Sequence, residues 1–448
     1  MNVAQLFVDD EIIDSYARIH RTVHSPSKFG PVLRPDRPWE GECVVLYGSV
    51  IRRAGKYMMW YQTFNRVEPP GNTLICYAES TDGVHWEKPS LGRVNYGGSA
   101  DNNIVLEPPG RGLDSPSIIV DEGDSGAGRF KMIFYGKSSE GSGLFASCSE
   151  DGVGWSHPAL VAPGVGDRTN LMMDPSAKCP YVAFTRRNTM MKDHLRRVIY
   201  ISESEDFDEW SDPELVLTPD LGDNHDIQFY GMSAFRYAGI YLGFVQCLHT
   251  KTDVNDVRLV HSRDGRRWSR TEPRDTFIGA GRSPGWDTTW ISFSSSPPIP
   301  NGDRLWLYYE DRSASHGQAF PFPRCCIGLA TLRLDGFASL DAGPSWGWVT
   351  TKPLSWSGDE LLVNVNAKAA SGTTDRAQAA GRLEVEILEE DGSPLEGFSR
   401  EDCVPFTGDS TAHAVKWNSG RTTMELSGKK IRIRFHLLNS QLYSFRAG

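Results

Sequence analysis

Four segments of this 448-residue chain share the pattern Ser-x-Asp-x-x-x-Trp: STDGVHW (Ser80 to Trp86), SEDGVGW (Ser149 to Trp155), SEDFDEW (Ser204 to Trp210) and SRDGRRW (Ser262 to Trp268). Their tryptophans fall 69, 55 and 58 residues apart, the length of one propeller blade with its loops. Three of the four carry Asp-Gly, residue types that accept the positive φ a tight turn demands. The Trp after each turn is placed to pack between neighbouring blades. Upstream of the turns lie apolar, aromatic strands: KYMMWYQ (56–62), RFKMIFYG (129–136), YVAFTRR (181–187) and IYLGFVQ (240–246). A fifth, RLWLYYED (304–311), leads into CCIGLATLRLDGF (325–337), an Asp-Gly hairpin that lacks the Trp. The N-terminal LFVDDEII is expected to supply the strand that closes the ring. A sandwich or barrel is the other home for short strands with turn signals, but a repeat of this length holding about four strands favours a propeller. No long segment has a 3.6-residue period, which excludes a helical solenoid.

Beyond Trp356 the repeat stops. ELLVNVNA, GRLEVEILEEDG, HAVKW and KKIRIRFHLL read as a separate unit, in which RLEVEIL and KIRIRFHL alternate as strands with one buried face do. The expected architecture is all-β: a five-bladed β-propeller over residues 1–356, followed by a C-terminal β-sandwich over 357–448 that acts as a buttress.

The formal net charge is −10 and the sequence holds no long basic run, so a nucleic-acid partner is not expected. The pairs Arg186-Arg187 and Arg196-Arg197 read as solvated surface or site lining. Eight cysteines include no CxxC pair and no histidine at ligand spacing, so zinc is unsupported and buried free thiols are expected. The N-terminal MNVAQLFVDDEIIDS has neither a basic region nor a long apolar stretch, and no segment is long enough to span a membrane. The expectation is a cytoplasmic protein without membrane association, unless a leader has been removed.

In a propeller the innermost strands surround one axis, so acids far apart in sequence can share one funnel. Candidate acids at inner-strand starts are Glu40 and Glu42 (RPWEGE), Asp114 (LDSPSIIV), Asp174 (NLMMDP), Asp226 beside His225 (DNHDIQF), and Asp287 between Trp286 and Trp290. Any one alone suits a turn; one per blade points to glycoside hydrolysis, which needs a carboxylic acid and a second carboxylate. Crowded like charges raise one pKa and keep the acid protonated. Trp39, Trp60, Trp286 and Trp290 are candidates to stack on sugar faces, with core packing the favoured reading for Trp60.

The propeller, the S-x-D-G-x-x-W hairpins and the inner-strand acids resemble the superfamily holding glycoside hydrolase families 32, 43, 68 and 130. The appended sandwich is most similar to family 32. Asp174-Pro175 in MMDP resembles that family's Arg-Asp-Pro motif, with Met173 in place of the Arg. The family's Trp-x-Asn-Asp-Pro-Asn-Gly nucleophile motif and its Glu-Cys acid are absent; Glu40 or Glu42 and His225-Asp226 stand nearest. From LFVDDE through RPWEGE, DNNIVLE and YSFR, nearly the whole chain resembles uncharacterised bacterial family-32-like proteins. The resemblance implies a glycosidase acting on an oligosaccharide or glycoside, such as a fructo- or arabinofuranoside. Asp174 would stabilise the transition state or tune a pKa. Asp226 would be the acid, with His225 its alternative, and Glu40 or Glu42 the nucleophile or base. Asp114 and Asp287 would grip hydroxyls or support the charge network, with Arg186 and Glu310 reaching the rim. No cofactor is implied, although some relatives hold a structural Ca²⁺ on the axis; no contiguous calcium loop is present. A phosphorylase or transferase similar to family 130, using Arg186, Arg187 and His225 for an anion, is the first alternative. A non-catalytic sugar-binding propeller is the second.

Overall fold

The computed structural model describes residues 3–63, 73–106, 110–191, 194–281, 285–313, 315, 325–368 and 380–448. Among them the strands form seven sheets, and the only helical pieces are two 3-10 turns. Five sheets follow one another along the chain as blades I to V. Their innermost strands are Val44–Val45, Arg111–Val120, Asn170–Met173, Ile227–Tyr237 and Trp290–Phe293. Each then runs outward through antiparallel neighbours; blade III, for example, continues through Tyr181–Met191, His194–Ser204 and Glu214–Leu217.

Five apolar clusters weld the blades into a ring. Trp60 and Met58 of blade I pack on Phe130 and Phe134 of blade II. Ile133 and Leu144 meet Leu171 and Ala183; Phe184 and Ile199 meet Phe229 and Val245; Phe235 and Phe244 meet Phe293 and Leu305. Tyr308 and Ile327 of blade V return to Val44 and Tyr57 of blade I. Such burial is the main force holding sheets face to face.

The repeated motif is the joint between third and fourth strands. In blade I the Ser80 hydroxyl accepts the Gly83 N–H (2.8 Å), and Asp82 Oδ1 accepts those of Val84 and His85 (2.8 Å each). The same bonds recur at Ser149-Asp151, Ser204-Asp206 and Ser262-Asp264. The fourth position has positive φ in every copy: Gly83 76°, Gly152 79°, Phe207 76° and Gly265 75°. These turns also dock on the preceding blade. Tyr308 of blade V donates to the Gly83 carbonyl (2.7 Å), and Trp60 of blade I to that of Gly152 (2.7 Å).

Ring closure departs from expectation. The outermost strand of blade V is Ser27–Leu33, paired with Cys326–Arg333, whereas in LFVDDEII Leu6 pairs with Ser444 of the second unit. The physical reason is burial. Phe7 is fully enclosed between the two remaining sheets, while Ser27–Leu33, with Gly30 and Pro31, suits a half-exposed edge. Those remaining sheets form the sandwich, with Val363, Leu442 and Phe445 of one facing Val385, Ile433 and Phe435 of the other. They also include Ile13–Ala17, His20–Val23, Ala338–Ala342 and Gly347–Thr351, so the chain enters this unit before residue 357 and from the N-terminal end as well. The cysteine expectation is corrected at one pair. Cys43 and Cys325 are disulfide-bonded, joining the start of blade I to blade V, while the other six cysteines are in no disulfide.

Candidate functional site

The axis is stitched by small polar side chains. Ser49 Oγ accepts the Ile118 N–H (2.8 Å), and Ser117 Oγ the Leu171 N–H (2.7 Å). Asn170 accepts from the Ala234 N–H (2.8 Å) and donates to the Ser295 carbonyl (2.7 Å). Ser295 and Ser49 share a hydroxyl bond (2.8 Å). All five blades are thus joined at one level, with Asn170 bridging blades III, IV and V.

Three residues before Ser117 and Asn170, at matching places in blades II and III, stand Asp114 and Asp167. Each is followed by a residue in the left-handed region, Ser115 (φ 53°) and Arg168 (φ 59°). A non-glycine residue there costs backbone energy and marks an over-determined site. The same level in blades I, IV and V holds Leu46–Tyr47, Tyr230–Gly231 and Ser292, so the two carboxylates sit on one side of the well.

The second strands complete the wall. Gln62 Oε1 accepts the Ser115 N–H (2.9 Å), Gln246 Oε1 accepts from Arg168 (2.7 Å), and Glu310 Oε2 accepts the Leu46 N–H (2.9 Å). The Arg168 guanidinium lies 3.4 Å above the Tyr47 ring. Arg186 pairs with Asp167 at 2.6 Å and stands 4.4 Å from the Tyr230 ring. Asp167, Arg186, Arg187, Asn188, Tyr135 and Ser142 line a cleft of about 480 Å³ between blades II and III.

Electrostatics separate the acids. Burial, reinforced by the neighbouring Asp167 charge, raises the Asp114 pKa above the ordinary carboxylate value, against the pull of Arg168 and the Ser115 hydroxyl. Burial also raises Glu310, opposed by Arg312 and Arg168. Asp311, enclosed on the far face of the same strand, is pushed well up by burial; Lys28 opposes this and Asp287 adds to it.

Of the residues expected from sequence, the fold gathers Asp114, Arg186, Glu310 and Trp290. Trp290 is fully buried, edge-on to Tyr230 (4.7 Å) and under Arg312 (4.5 Å), so it supports the wall rather than offering a stacking face.

The others lie elsewhere. Asp174 follows the far end of its inner strand, where Ser176, Arg236 and Tyr241 bind its carboxylate. Glu40 is wholly buried, held by Lys88 (2.7 Å), the Tyr61 hydroxyl (2.5 Å) and the N–H groups of Asp36 and Arg37. Glu42 is exposed beside the disulfide. His225 is exposed and Asp226 half-buried, both ahead of Ile227 and so about four residues short of the well level. Asp287 is paired with Lys28 (2.5 Å), and Trp286 stacks on Tyr309 (5.6 Å). Trp60 packs between blades, and Trp39 donates to Asn103 (2.8 Å). Sequence reasoning missed Asp167, Arg168, Tyr47 and Tyr230.

Among the described residues no three His, Cys, Asp or Glu side chains come together as a metal site. No described helix is long and apolar enough to cross a membrane.

No family model matches the chain. Two curated Mycobacterium tuberculosis relatives, Uncharacterized protein MT1551 and Uncharacterized protein Rv1502, are each 32% identical over 113 residues. That stretch is 24% of this chain and 32% of each relative, so the match spans about a third of their length. Among solved structures, a complex of BT0996 with RGII superimposes with TM-score 0.50 at 13% identity, over 70% of this protein and 93% of that one. A structure of the GH130 family of mannoside phosphorylases, which contains glycoside hydrolases, gives 0.48 at 14% identity over 70% and 94%. The Podospora anserina α-L-arabinofuranosidase PaAbf62A gives 0.47 at 14% identity over 69% and 98%. Likeness at these identities bears on fold alone, and the two lower scores carry no further argument.

Proposed function

We propose that this protein cleaves glycosidic bonds in the cleft between blades II and III. Asp114 is the acid that protonates the leaving oxygen. Asp167 is the second carboxylate, acting as nucleophile or as the base that activates water. The observation that carries the reading is the matched pair itself: two carboxyl groups at equivalent kinked positions, one held towards its protonated form and one paired with a guanidinium. A carboxyl held towards its protonated form beside an ion-paired carboxylate can divide acid and base roles. Arg168 sits behind them, bonded to the Ser115 hydroxyl, and holds the position of Asp114. Kinship with the family-32-like proteins and a preference for furanosides belong to the same proposal.

A panel of aryl furanosides and pyranosides tests it. Asp114→Asn and Asp167→Asn should each lower kcat by roughly two to four orders of magnitude while both variants stay folded at the assay temperature. Full activity in both variants would end the assignment. Phosphorolysis is the second reading, favoured by Arg186 and Arg187 in the cleft wall; cleavage that requires added phosphate would select it. Sugar binding without turnover across the panel would select a binding module instead.

A further inference from the structure

Blade I has the shortest inner strand of the five. Val44–Val45 is two residues long and pairs with Thr63 and Gln62, whereas the other inner strands run four to eleven residues. Its backbone bonds to blade V are long. The Val44 N–H reaches the Cys325 carbonyl at 3.4 Å, and the Cys325 N–H reaches the Glu42 carbonyl at 3.3 Å, beyond the usual range of about 2.7–3.2 Å. The Cys43–Cys325 disulfide is the covalent tie across this seam.

Side chains alternate along extended backbone, so Cys43, Val45 and Tyr47 share a face, and with Cys325 they form one enclosed apolar cluster. Tyr47 is thus seated in the packing around the disulfide. On its ring lies the Arg168 guanidinium of blade III, at 3.4 Å. Arg168 donates to Gln246 Oε1 (2.7 Å) and to Ser115 Oγ (3.4 Å), and that hydroxyl donates to Asp114 Oδ1 (2.7 Å). Blades I and III are not neighbours in the ring, so the Tyr47–Arg168 contact crosses the axis. A shift of the blade I inner strand is therefore passed to Arg168, and from Arg168 through Ser115 to Asp114.

We propose that the Cys43–Cys325 disulfide positions the site. Oxidised, it holds Tyr47 under Arg168 and so sets Asp114; reduced, the blade I strand relaxes and the site loosens while the ring stays folded at the assay temperature. Reduction by a dithiol delivers two electrons and two protons, giving two cysteine thiols as the dithiol closes to its cyclic disulfide. A protein built this way works where disulfides persist. The catalytic consequence rests on the reading of Asp114 as the acid; the positioning does not.

Both cysteines are 0% exposed, so the full-length double variant Cys43→Ser/Cys325→Ser carries the test rather than added reductant. The control is Gly243→Ala, whose new Cβ would meet Val260 at 2.8 Å in blade IV and so costs stability elsewhere. Hydrogen–deuterium exchange read by mass spectrometry should rise about ten-fold or more in peptides spanning 44–49 and 113–118 of the double variant. It should hold at the wild-type rate in the sandwich strand Lys430–Leu438, and Gly243→Ala should raise neither peptide. With aryl glycosides, kcat/KM of the double variant should fall by about ten- to a hundred-fold. Burial and then Asp167 raise the Asp114 pKa while Arg168 pulls it down, so a loosened Arg168 moves the alkaline limb of kcat/KM to higher pH. Should the double variant fail to fold, Tyr47→Leu decides: it keeps the disulfide, removes the ring, and should raise exchange over 113–118 and move the limb the same way. Exchange unchanged at either peptide, or raised equally in the sandwich, overturns the proposal. So does a wild-type kcat/KM with an unmoved limb in both variants. Raised exchange at the two peptides, with no turnover of any glycoside by the wild type, keeps the positioning role and removes the catalytic reading.

Discussion

Replacing Lys88 with Met should destabilise the protein without touching its chemistry. Lys88 and Glu40 form a buried pair, 5% and 0% exposed at their side chains, with Nζ 2.7 Å from the carboxylate. Removing the ammonium leaves that carboxylate enclosed, with only Tyr61 and two backbone N–H groups for partners. Breaking a buried pair from one side costs about 3–5 kcal/mol. At about 2 °C per kcal/mol for a large domain, the melting temperature should fall by roughly 6–10 °C in a calorimetric scan. The double variant Glu40→Gln/Lys88→Met, with both charges gone, should recover part of the loss. Turnover well below the transition should stay near wild type in both variants and in Glu40→Gln alone, because Glu40 lies away from the well. An unchanged melting temperature for Lys88→Met would refute the reasoning. So would a Glu40→Gln variant that melts normally but has lost turnover, which would return Glu40 to the catalytic role read from the sequence.

Because the folded-state pKa of Asp114 lies above its unfolded value, ionising it costs stability as pH rises through the interval between the two. Asp114→Asn should therefore match wild type below about pH 4 and gain on it as pH climbs towards 7; a constant difference across that range contradicts the raised pKa. Reducing the Cys43–Cys325 disulfide, which spans 282 residues, should cost roughly 5 kcal/mol on loop-closure entropy. Differential scanning with and without reductant reads this directly, and coincident scans would count against it. Gly152→Ala, whose new Cβ would meet Trp60 Cζ2 at 2.6 Å, should lower the melting temperature more than Gly92→Ala, where nothing lies within 4 Å. Equal shifts would mean the blade I–II joint tolerates the methyl.

The repeat made the fold legible because its turn is local chemistry: Ser, Asp and a positive-φ position within five residues bond to one another whatever surrounds them. The site was harder to read. Asp174 and Asp167 flank the same inner strand, and only the stitching of Asn170 to Ala234 and Ser295 reveals which end faces the well. In hindsight the signal was a shared offset, an Asp three residues before the small polar residue of LDSPS and GDRTN. Glu40 misled because a buried, neutralised carboxylate and a catalytic one look alike until Lys88, 48 residues away, is placed against it. The LFVDDEII strand misled because an apolar run says that it is buried, not against which sheet. Arg168 and Tyr47 had no local signal; their contact joins residues from blades that only ring closure brings together.

The most direct test of the Asp114 assignment is a leaving-group series, measuring kcat/KM for aryl glycosides of one sugar whose phenols span several pKa units. Wild type should depend weakly on phenol pKa, since the carboxyl supplies a proton as the bond breaks. Asp114→Asn should keep most of its rate with dinitrophenol and lose two or more orders of magnitude with unactivated phenol. Parallel lines for the two proteins, with the variant slowed equally on every phenol, would contradict the claim that this side chain is the proton donor.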